Sequence, residues 1–373
     1  MRTRSIIRLS ALSAAALVLA ACSSVPAEQP PSTEAQPGQS IPETIPQSPE
    51  TEQPATGSPG LSVVTEGLAS PWSIAFYGET PLISERDSGR ILELDDEGIA
   101  REVATLPDVH PSGEGGLLGL AVHDAYLYAY FTAADGNRVE RFPLEGAPGS
   151  LTLGAGSVVV SGIPSGTNHN GGRIAFGPDK MLYVTTGDAG RTELAQDTDS
   201  LAGKILRLNP DGSVPDDNPF LGSAVYSYGH RNVQGIAWDA DGTMYASEFG
   251  NHTWDELNVI QPGNNYGWPL VEGIAGQDGL IDPVQQWPTD QASPSGIAAR
   301  DGSIWMANLR GSRLTEVPLS DLTSSIPYFE GEYGRMRDVV LAPDGSLWIL
   351  TNNTDGRGQP APEDDRVLRM VPG

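Results

Sequence analysis

The stretch RIAFGPDKMLYVT, residues 173–185, is a strand–turn–strand unit. An apolar run leads into Gly-Pro-Asp-Lys, and a second apolar run follows, which is typical of two short strands joined by a tight turn. Five more copies of the unit occur along the chain. Their first strands read SIAFY at 73, LGLAV at 118, GIAWD at 235, GIAAR at 296 and DVVLA at 338.

Second and third strands repeat in the same order. The second strands read PLISE at 81, YLYAY at 126, MLYVT at 181, TMYAS at 243, SIWMA at 303 and SLWIL at 346, and their equivalent residues are 46, 55, 62, 60 and 43 positions apart. The third strands read GRILEL, NRVERF, GKILRL, DELNVI, SRLTEV and DRVLRM. Repeats of this length indicate propeller blades, whereas a β-sandwich does not repeat one unit six times. The sequence therefore predicts an all-β, six-bladed β-propeller with four-stranded antiparallel blades over 61–373, in which LSVVTEGL (61–68) completes the last blade.

The first 22 residues, MRTRSIIRLSALSAAALVLAAC, have the pattern of an export signal. Arg2, Arg4 and Arg8 precede an apolar run that is too short to span a membrane. Leu-Ala-Ala-Cys at 19–22 resembles a bacterial lipobox, which predicts a signal peptide over 1–21 and a lipid on Cys22. The alternative is an ordinary cleaved signal with an incidental cysteine. Because Cys22 is the single cysteine, a disulfide within the chain is excluded.

Residues 22–60 are predicted to form a disordered, lipid-anchored tether. The segment after the cysteine holds nine prolines, five glutamates and no lysine or arginine, so it cannot bury enough apolar surface to fold. The chain has a formal net charge of −26, which argues against nucleic acid or anionic phospholipid as a direct partner. These patterns predict an exported, extracytoplasmic protein that meets the cell membrane only through its lipid.

Polar residues stand immediately before the first strands. In a propeller these positions converge at one end of the central channel. The residues so placed are Glu114, His169, Arg173, Arg231, Asn232, Ser295, Arg335 and Arg337. Each alone has an ordinary explanation as a loop hydrogen bonder or a solvated charge. Together they gather arginines at one mouth of an acidic protein, and such like charges indicate a small, multiply anionic ligand.

A second polar stretch, SEFGNHTWDELNVIQPGNNYGWP (247–269), follows the second strand of blade four. Glu248, Asp255 and Glu256 are oxygen donors of the kind that calcium prefers, although their spacing is not that of an EF-hand. A solvated acidic loop explains the composition equally well. The sequence shows neither a nucleophilic triad nor the clustered His and Cys of a zinc site.

These motifs resemble the soluble quinoprotein glucose dehydrogenase and aldose sugar dehydrogenase family, also called glucose/sorbosone dehydrogenases. The resemblance extends over about 61–373. It rests on GEGGLLGLAVH, NHNGGRIAFGPDKMLYVTTGDAGR, LAGKILRLNPDGSVPDDNPF, YGHRNVQGIAW, SEFGNHTWDELN, NNYGWP and GRMRDVVLAPDGSLWILT, in that order. Members are six-bladed propellers that bind pyrroloquinoline quinone (PQQ) and calcium and oxidise aldoses at C1. The resemblance thus implies aldose sugars as substrate and an external electron acceptor such as a quinone, a cytochrome or a dye.

The resemblance also assigns roles to individual residues. It implies that His169 is the base for the C1 hydroxyl, a role that a neutral imidazole suits. Arg231 and Asn232 would bind the quinone oxygens, Arg231 with a catalytic share in stabilising the reduced cofactor. Arg335 and Arg337 match the clamps on the PQQ carboxylates. Glu114, a third catalytic candidate, occupies the position of a glutamine near the sugar.

For calcium, the resemblance implies two sets of ligands. The backbone carbonyls of Gly250 and Asn251 match ligands of the ion that orients the quinone. Glu256 and the Tyr266 carbonyl match a further, structural calcium site.

Two positions depart from the glucose dehydrogenase branch. Asn168 replaces an aspartate beside the histidine. The lysine that blade five gives to PQQ has no counterpart in ASPSG, where Ser295 stands.

Two other functions remain open from the sequence. A calcium-dependent lactonase is also a six-bladed propeller, but it would need carboxylates converging on a metal at the channel axis. A non-enzymatic sugar- or protein-binding propeller would have lost its cofactor, against which the set His169, Arg231, Arg335 and Arg337 argues.

Overall fold

The computed structural model describes residues 60–371, and its regular secondary structure is almost entirely β-strand. The first strand is β1 (Gly60–Thr65), and blade one is formed by β2 (Pro71–Tyr77), β3 (Thr80–Glu85), β4 (Arg90–Leu94) and β5 (Ala100–Thr105). Blade two is formed by β6 (Leu117–His123), β7 (Tyr126–Ala133), β8 (Gly136–Glu145), the short β9 (Thr152–Leu153) and β10 (Ser157–Ile163). Blade three is formed by β11 (Ile174–Phe176), β12 (Leu182–Thr185), β13 (Lys204–Leu208) and β14 (Val225–Tyr228), with the 3₁₀ turn Thr192–Ala195 between β12 and β13.

The remaining strands form three further blades. Blade four is formed by β15 (Val233–Trp238), β16 (Met244–Glu248), β17 (Trp254–Ile260) and β18 (Gln285–Pro288). Blade five is formed by β19 (Pro294–Arg300), β20 (Ser303–Asn308), β21 (Arg313–Pro318) and β22 (Ile326–Tyr328). Blade six contains β23 (Met336–Leu341), β24 (Leu347–Thr351) and β25 (Val367–Val371). The predicted six-bladed, antiparallel propeller is confirmed.

The first strands of the blades surround the channel. Each contacts the first strand of the next blade, from β2 to β6, β11, β15, β19 and β23 and back to β2. Because all six run in the same sense through the ring, the residues that precede them lie at one end of the channel.

The ring closes through its two chain ends. Strand β1 pairs with β25 in antiparallel register, Gly60 opposite Val371 and Val63 opposite Leu368, and becomes the fourth strand of blade six. This confirms that the segment beginning at residue 61 completes the last blade. The closure joins the first and last strands of the described chain, so it opposes separation of blades one and six.

Six apolar clusters hold neighbouring blades together. Leu82 and Leu127 belong to the cluster between blades one and two, and Leu314 and Leu347 belong to that between blades five and six. All four side chains are fully buried. Each buried leucine contributes about 1.5–3 kcal/mol relative to an exposed one, so the blade faces carry most of the stability and leave the channel ends free for polar residues.

Residues 1–59 lie outside the described part of the chain, and with them the predicted signal peptide, Cys22 and all of the predicted tether except Gly60, which is the first residue of β1. Within residues 60–371, no helix is long and apolar enough to cross a membrane.

Candidate functional site

A cavity of about 260 Å³ opens at the channel end where the first strands begin. Its walls are Glu114, His169, Arg231, Phe249, Gly250, Asn251, Asp255, Thr289, Ser293, Leu309, Arg310, Arg335 and Arg357. Two larger depressions, of about 620 and 600 Å³, lie at turns between first and second strands and are lined by no histidine. Of the sequence-predicted residues, the smaller cavity unites Glu114, His169, Arg231 and Arg335 with the backbone of 250–251.

His169 lies in an unusual backbone conformation, with φ of 55°. Non-glycine residues occupy this left-handed region only when neighbouring contacts hold them there. Gly187 allows the close approach, since a Cβ at that position would lie 1.9 Å from the His169 carbonyl oxygen. The imidazole Nδ1 is 2.8 Å from Asp188 Oδ1. An ionised carboxylate can only accept, so Nδ1 carries a proton, and in the neutral imidazole Nε2 is then the nitrogen with the free lone pair.

Asp188 is fully buried and uses both oxygens. Oδ1 also accepts from the Gly190 amide at 2.8 Å, and Oδ2 accepts from the indole Nε1 of Trp268 at 2.8 Å. Burial raises the pKa of Asp188, but the His169 hydrogen bond and charge, the Gly190 amide and the indole outweigh it and hold the pKa below its ordinary value. Asp188 is therefore an ionised partner of His169.

Sequence reasoning missed Asp188 and looked instead at Asn168, which is exposed. The signal was present in TTGDAG, directly after β12. A second strand runs antiparallel to the first, so its end returns to the channel mouth where the first strand begins. The imidazole thus has a carboxylate partner although its neighbour in sequence is asparagine.

Glu114 binds the backbone of His169 and not its ring. Its Oε2 accepts from the His169 amide at 2.9 Å, and its Oε1 accepts from Arg357 Nη1 at 2.7 Å. Burial raises the pKa of Glu114, but the His169 amide and the Arg357 guanidinium lower it by more. The pKa of Glu114 therefore lies below its ordinary value. Both carboxylate oxygens are engaged, which favours a positioning role over that of a base.

Arg231 is held from several sides. Its amide donates to Glu248, its Nη1 donates to the Phe249 carbonyl at 3.2 Å, and its guanidinium lies 5.4 Å from the Trp268 ring centre. Its Nε is buried and has no protein acceptor. Asn232 is fully buried and is not part of the cavity lining; its Oδ1 accepts from the Gly171 amide, and its Nδ2 has no partner.

The two predicted carboxylate clamps differ in their surroundings. Arg335 lines the cavity, with Nη2 on Asp355 Oδ2 at 3.1 Å and a buried Nε that has no protein acceptor. Arg337 lies outside the cavity lining and is 4% exposed. Its donors are taken by Asn352 and Gln234, at 2.7–3.1 Å. Burial lowers the pKa of Arg337 to about 9.

Two residues expected at the rim lie deeper in the channel. Arg173 is buried, with Nη1 on Asp338 at 2.8 Å and its guanidinium 4.3 Å from the Trp72 ring centre. Ser295 is fully buried and donates to Gln234 at 3.3 Å. They differ from the expectation because their hydrogen bonds to Asp338 of β23 and Gln234 of β15 hold both side chains among the first strands. Blade five instead brings Arg310, from the end of β20, to the cavity wall.

The segment 249–256 contains most of the oxygen atoms that the sequence analysis predicts as calcium ligands. Gly250 and Asn251 line the cavity, and within residues 60–371 no backbone amide donates to their carbonyls. Asp255 accepts from the Gly250 amide at 2.8 Å and the Ser293 amide at 2.6 Å. Burial raises the pKa of Asp255 to about 6.

Glu256 and Tyr266 lie behind the cavity, around a separate void of about 10 Å³ that Glu248 and Glu272 also line. Glu256 accepts from the Gly273 amide and the Asn258 side chain, at 2.8 and 3.1 Å. Burial and the neighbouring Glu248 raise its pKa to about 8. Among the described residues, no three His, Cys, Asp or Glu side chains are arranged closely enough to hold a metal by themselves, so any cation here would depend on backbone carbonyls.

Solved structures of sugar dehydrogenases resemble this chain in both sequence and fold. The PQQ-bound aldose sugar dehydrogenase of Streptomyces coelicolor is 52% identical, with a TM-score of 0.81 over 85% of this chain and 99% of its own. A putative oxidoreductase (glucose dehydrogenase) of Thermus thermophilus is 42% identical, with a TM-score of 0.77 over 84% of this chain and 100% of its own. Aldose sugar dehydrogenase YliI of Escherichia coli is 28% identical over 81% of this chain and 92% of its own length. The family model of glucose / sorbosone dehydrogenases matches residues 68–360, and the chain belongs to that family.

Proposed function

We propose that the protein oxidises aldose sugars at C1 to the lactone, with PQQ as cofactor and an external electron acceptor. The observation that carries the proposal is the His169–Asp188 pair beside arginines whose buried donors have no acceptor. The names of its relatives, among them a quinoprotein glucose dehydrogenase of Acinetobacter calcoaceticus, support the same chemistry.

The donor set fits a multiply anionic quinone. Arg231 Nε, Asn232 Nδ2 and Arg335 Nε are buried without protein acceptors, and an unpaired buried donor costs about 1–3 kcal/mol. Carboxylate and quinone oxygens would satisfy such donors with charge-assisted hydrogen bonds. Arg310 would supply the blade-five cation in place of the missing lysine. Arg337 would act from outside the cavity lining, through its hydrogen bond to Gln234.

The protein's own residues divide the proton chemistry. His169 Nε2 is the free ring nitrogen and would take the proton of the C1 hydroxyl. Asp188 would stabilise the imidazolium that forms, and Trp268 and Gly190 would keep that carboxylate ionised. Arg231 would stabilise negative charge in the cofactor-binding part of the cavity. When bound, PQQ would supply the oxidant that accepts the hydride from C1.

Calcium is part of the proposal at two places. The unclaimed carbonyls of Gly250 and Asn251, next to Asp255, offer hard oxygen ligands at the cavity wall. The second place is the small void lined by Glu248, Glu256, Glu272 and Tyr266, where the carboxylates would hold one further ion beside Arg231, which also lines the void. A calcium ion in the first place would orient the quinone and act as a Lewis acid.

Reconstitution tests the function directly. Apo-protein would be titrated with PQQ in the presence of calcium or of a chelator, and dye reduction would be followed over a panel of aldoses. We expect sugar-dependent reduction that requires PQQ, with the lactone as product. Hydrolysis of lactones without PQQ would favour the lactonase, and sugar binding without reduction would favour the binding propeller.

Lipidation is proposed on the lipobox sequence alone. Cys22 would carry the lipid and anchor the exported protein to the cell membrane. Metabolic labelling with a fatty acid should mark the native protein, and Cys22→Ser should abolish the label and release the protein from the membrane fraction. A labelled Cys22→Ser protein would contradict the assignment.

A further inference from the structure

Arg357 connects two blades across the cavity mouth. It lies between β24 and β25, half-exposed, and its Nη1 donates to Glu114 Oε1 at 2.7 Å. Glu114 stands 243 positions earlier, just before β6 of blade two. The contact therefore links blade six to blade two over the edge of blade one, at the mouth of the cavity that both residues line.

Glu114 transmits this contact to His169. Its second oxygen accepts from the His169 amide, and its own amide donates to the Thr167 carbonyl at 2.9 Å. His169 has a φ of 55°, which is unfavourable for a side chain with a Cβ and needs external support. A carboxylate fixed by Arg357 supplies that support, because it cannot rotate away from the amide without breaking an ion pair.

The other end of Arg357 reaches the arginine clamp. The Arg357 amide donates to Asp355 Oδ1 at 2.9 Å, and Asp355 Oδ2 accepts from Arg335 Nη2 at 3.1 Å. The segment that carries Arg357 is thus anchored on the carboxylate that orients Arg335. One short stretch of blade six contacts both the residue that supports His169 and the residue that would bind the cofactor.

We propose that Arg357 is a positioning residue for His169, acting through Glu114. The inference rests on the proposed function for its catalytic consequence, but the structural link can be measured without cofactor or sugar. Arg357 fixes the Glu114 carboxylate, the carboxylate fixes the His169 backbone, and the backbone sets the place of the imidazole in the cavity.

The kinetic test compares Arg357→Ala with Arg357→Lys and with Arg369→Ala in the reconstituted enzyme. Arg369 is a matched control, because it forms an ion pair with Asp344 at 2.6 Å in the same blade and has no contact with the cavity. Arg357→Ala should lower kcat by about 10- to 100-fold with KM changed less than about threefold, the size of loss that misplacement of a reacting group causes. Arg357→Lys should recover part of the loss, and Arg369→Ala should show none.

A double variant tests whether Arg357 acts on His169 through Glu114. If Arg357 acts through Glu114, adding Arg357→Ala to Glu114→Gln should cost much less than Arg357→Ala costs alone. Equal losses in the two backgrounds, or an unchanged kcat in Arg357→Ala, would overturn the proposal.

Amide hydrogen exchange of the apo-protein gives a readout that does not depend on activity. The His169 amide, bonded to Glu114, should exchange at least about tenfold faster in Arg357→Ala than in the native protein and remain unchanged in Arg369→Ala. Unchanged exchange at His169 would overturn the proposal even if the enzyme is active. Faster exchange in a protein that oxidises no sugar would support the link and refute the proposed function alone.

Discussion

The imidazole Nδ1 of His169 lies 2.8 Å from Oδ1 of Asp188, and the indole of Trp268 holds the other oxygen of that carboxylate. The histidine precedes the first strand of blade three, and the aspartate follows the second strand of the same blade. Their contact is a direct result of the antiparallel hairpin. It leaves one nitrogen of the ring free at the cavity and fixes the tautomer of the neutral imidazole.

His169→Ala should preserve the fold and most of the PQQ binding but lower turnover by about 10²–10⁴-fold, the usual contribution of a positioned base. The acidic limb of the pH–rate profile should disappear with the imidazole. Steady-state kinetics with the reconstituted variant would measure both. Near-normal turnover with an intact acidic limb would show that another group removes the proton, and Glu114 would then be the next residue to substitute.

Asp188→Asn should lower turnover by up to about 10⁴-fold, because an amide cannot stabilise the imidazolium and can present its NH₂ to the ring. It should also change the pH dependence of stability. The pKa of Asp188 is lowered in the folded protein from 3.8, so its contribution is present above about pH 4 and is lost as the pH falls through the folded value. Chemical denaturation at pH 7 and at pH 3 would measure this. A stability difference that is equally large at both pH values would contradict the assignment.

Trp268→Phe tests the indole hydrogen bond separately from the ring. Phenylalanine keeps an aromatic face near Arg231 but leaves Asp188 Oδ2 without its donor. The carboxylate should then attract the imidazolium more strongly, so the acidic limb of the pH–rate profile should move to higher pH. Trp268→Leu, which removes both contacts, should in addition weaken PQQ binding. A limb that stays in place in Trp268→Phe would show that the indole does not act through Asp188.

The inner three strands of each blade could be predicted from the sequence because their apolar residues are buried on both faces. Strands such as β3 and β20 are buried along their whole length, so each contains a short run of apolar residues that is visible in the sequence. Apart from β1, the fourth strands could not be located in the same way. Examples such as β18 and β22 are three or four residues long and partly exposed, and they follow the third strands at irregular distances.

The site was predictable where its residues precede first strands and not where they follow second strands. Glu114, His169, Arg231 and Arg335 converge as expected. Asp188, Arg310 and Arg357 belong to the segments that follow β12, β20 and β24. Arg310 and Arg357 line the cavity, and Asp188 contacts His169 beside it. The sequence shows no periodic signal for these segments, because their lengths differ and only the closed ring brings them together.

Arg335→Ala and Arg337→Ala should both weaken PQQ binding, but for different reasons. Arg335 lines the cavity and has an unsatisfied buried donor, so its loss should cost about 1.5–3 kcal/mol of binding, and it should also destabilise the apo-protein by unpairing the buried Asp355. Arg337 is buried and donates hydrogen bonds to Asn352 and Gln234, so its loss should also lower the free energy of unfolding of the apo-protein. Fluorescence titration with PQQ and denaturation of the apo-proteins would measure the two effects. Unchanged titration curves for both variants would remove the clamp assignment.

Closure of the ring depends on β1, and chains that begin at different residues test it. A chain beginning at Gly60 keeps all of β1 and should be soluble and fully active, since the described blades are then complete. A chain beginning at Gly67 lacks β1 and exposes the edge of β25, together with apolar neighbours that Leu61 and Val64 cover. Burial of two such partly covered side chains is worth about 2–4 kcal/mol, so the shorter chain should unfold at lower denaturant concentration and aggregate through its open edge. Equal stability of the two chains would show that the closing strand contributes nothing, and loss of folding in the longer one would show that residues before 60 belong to the propeller.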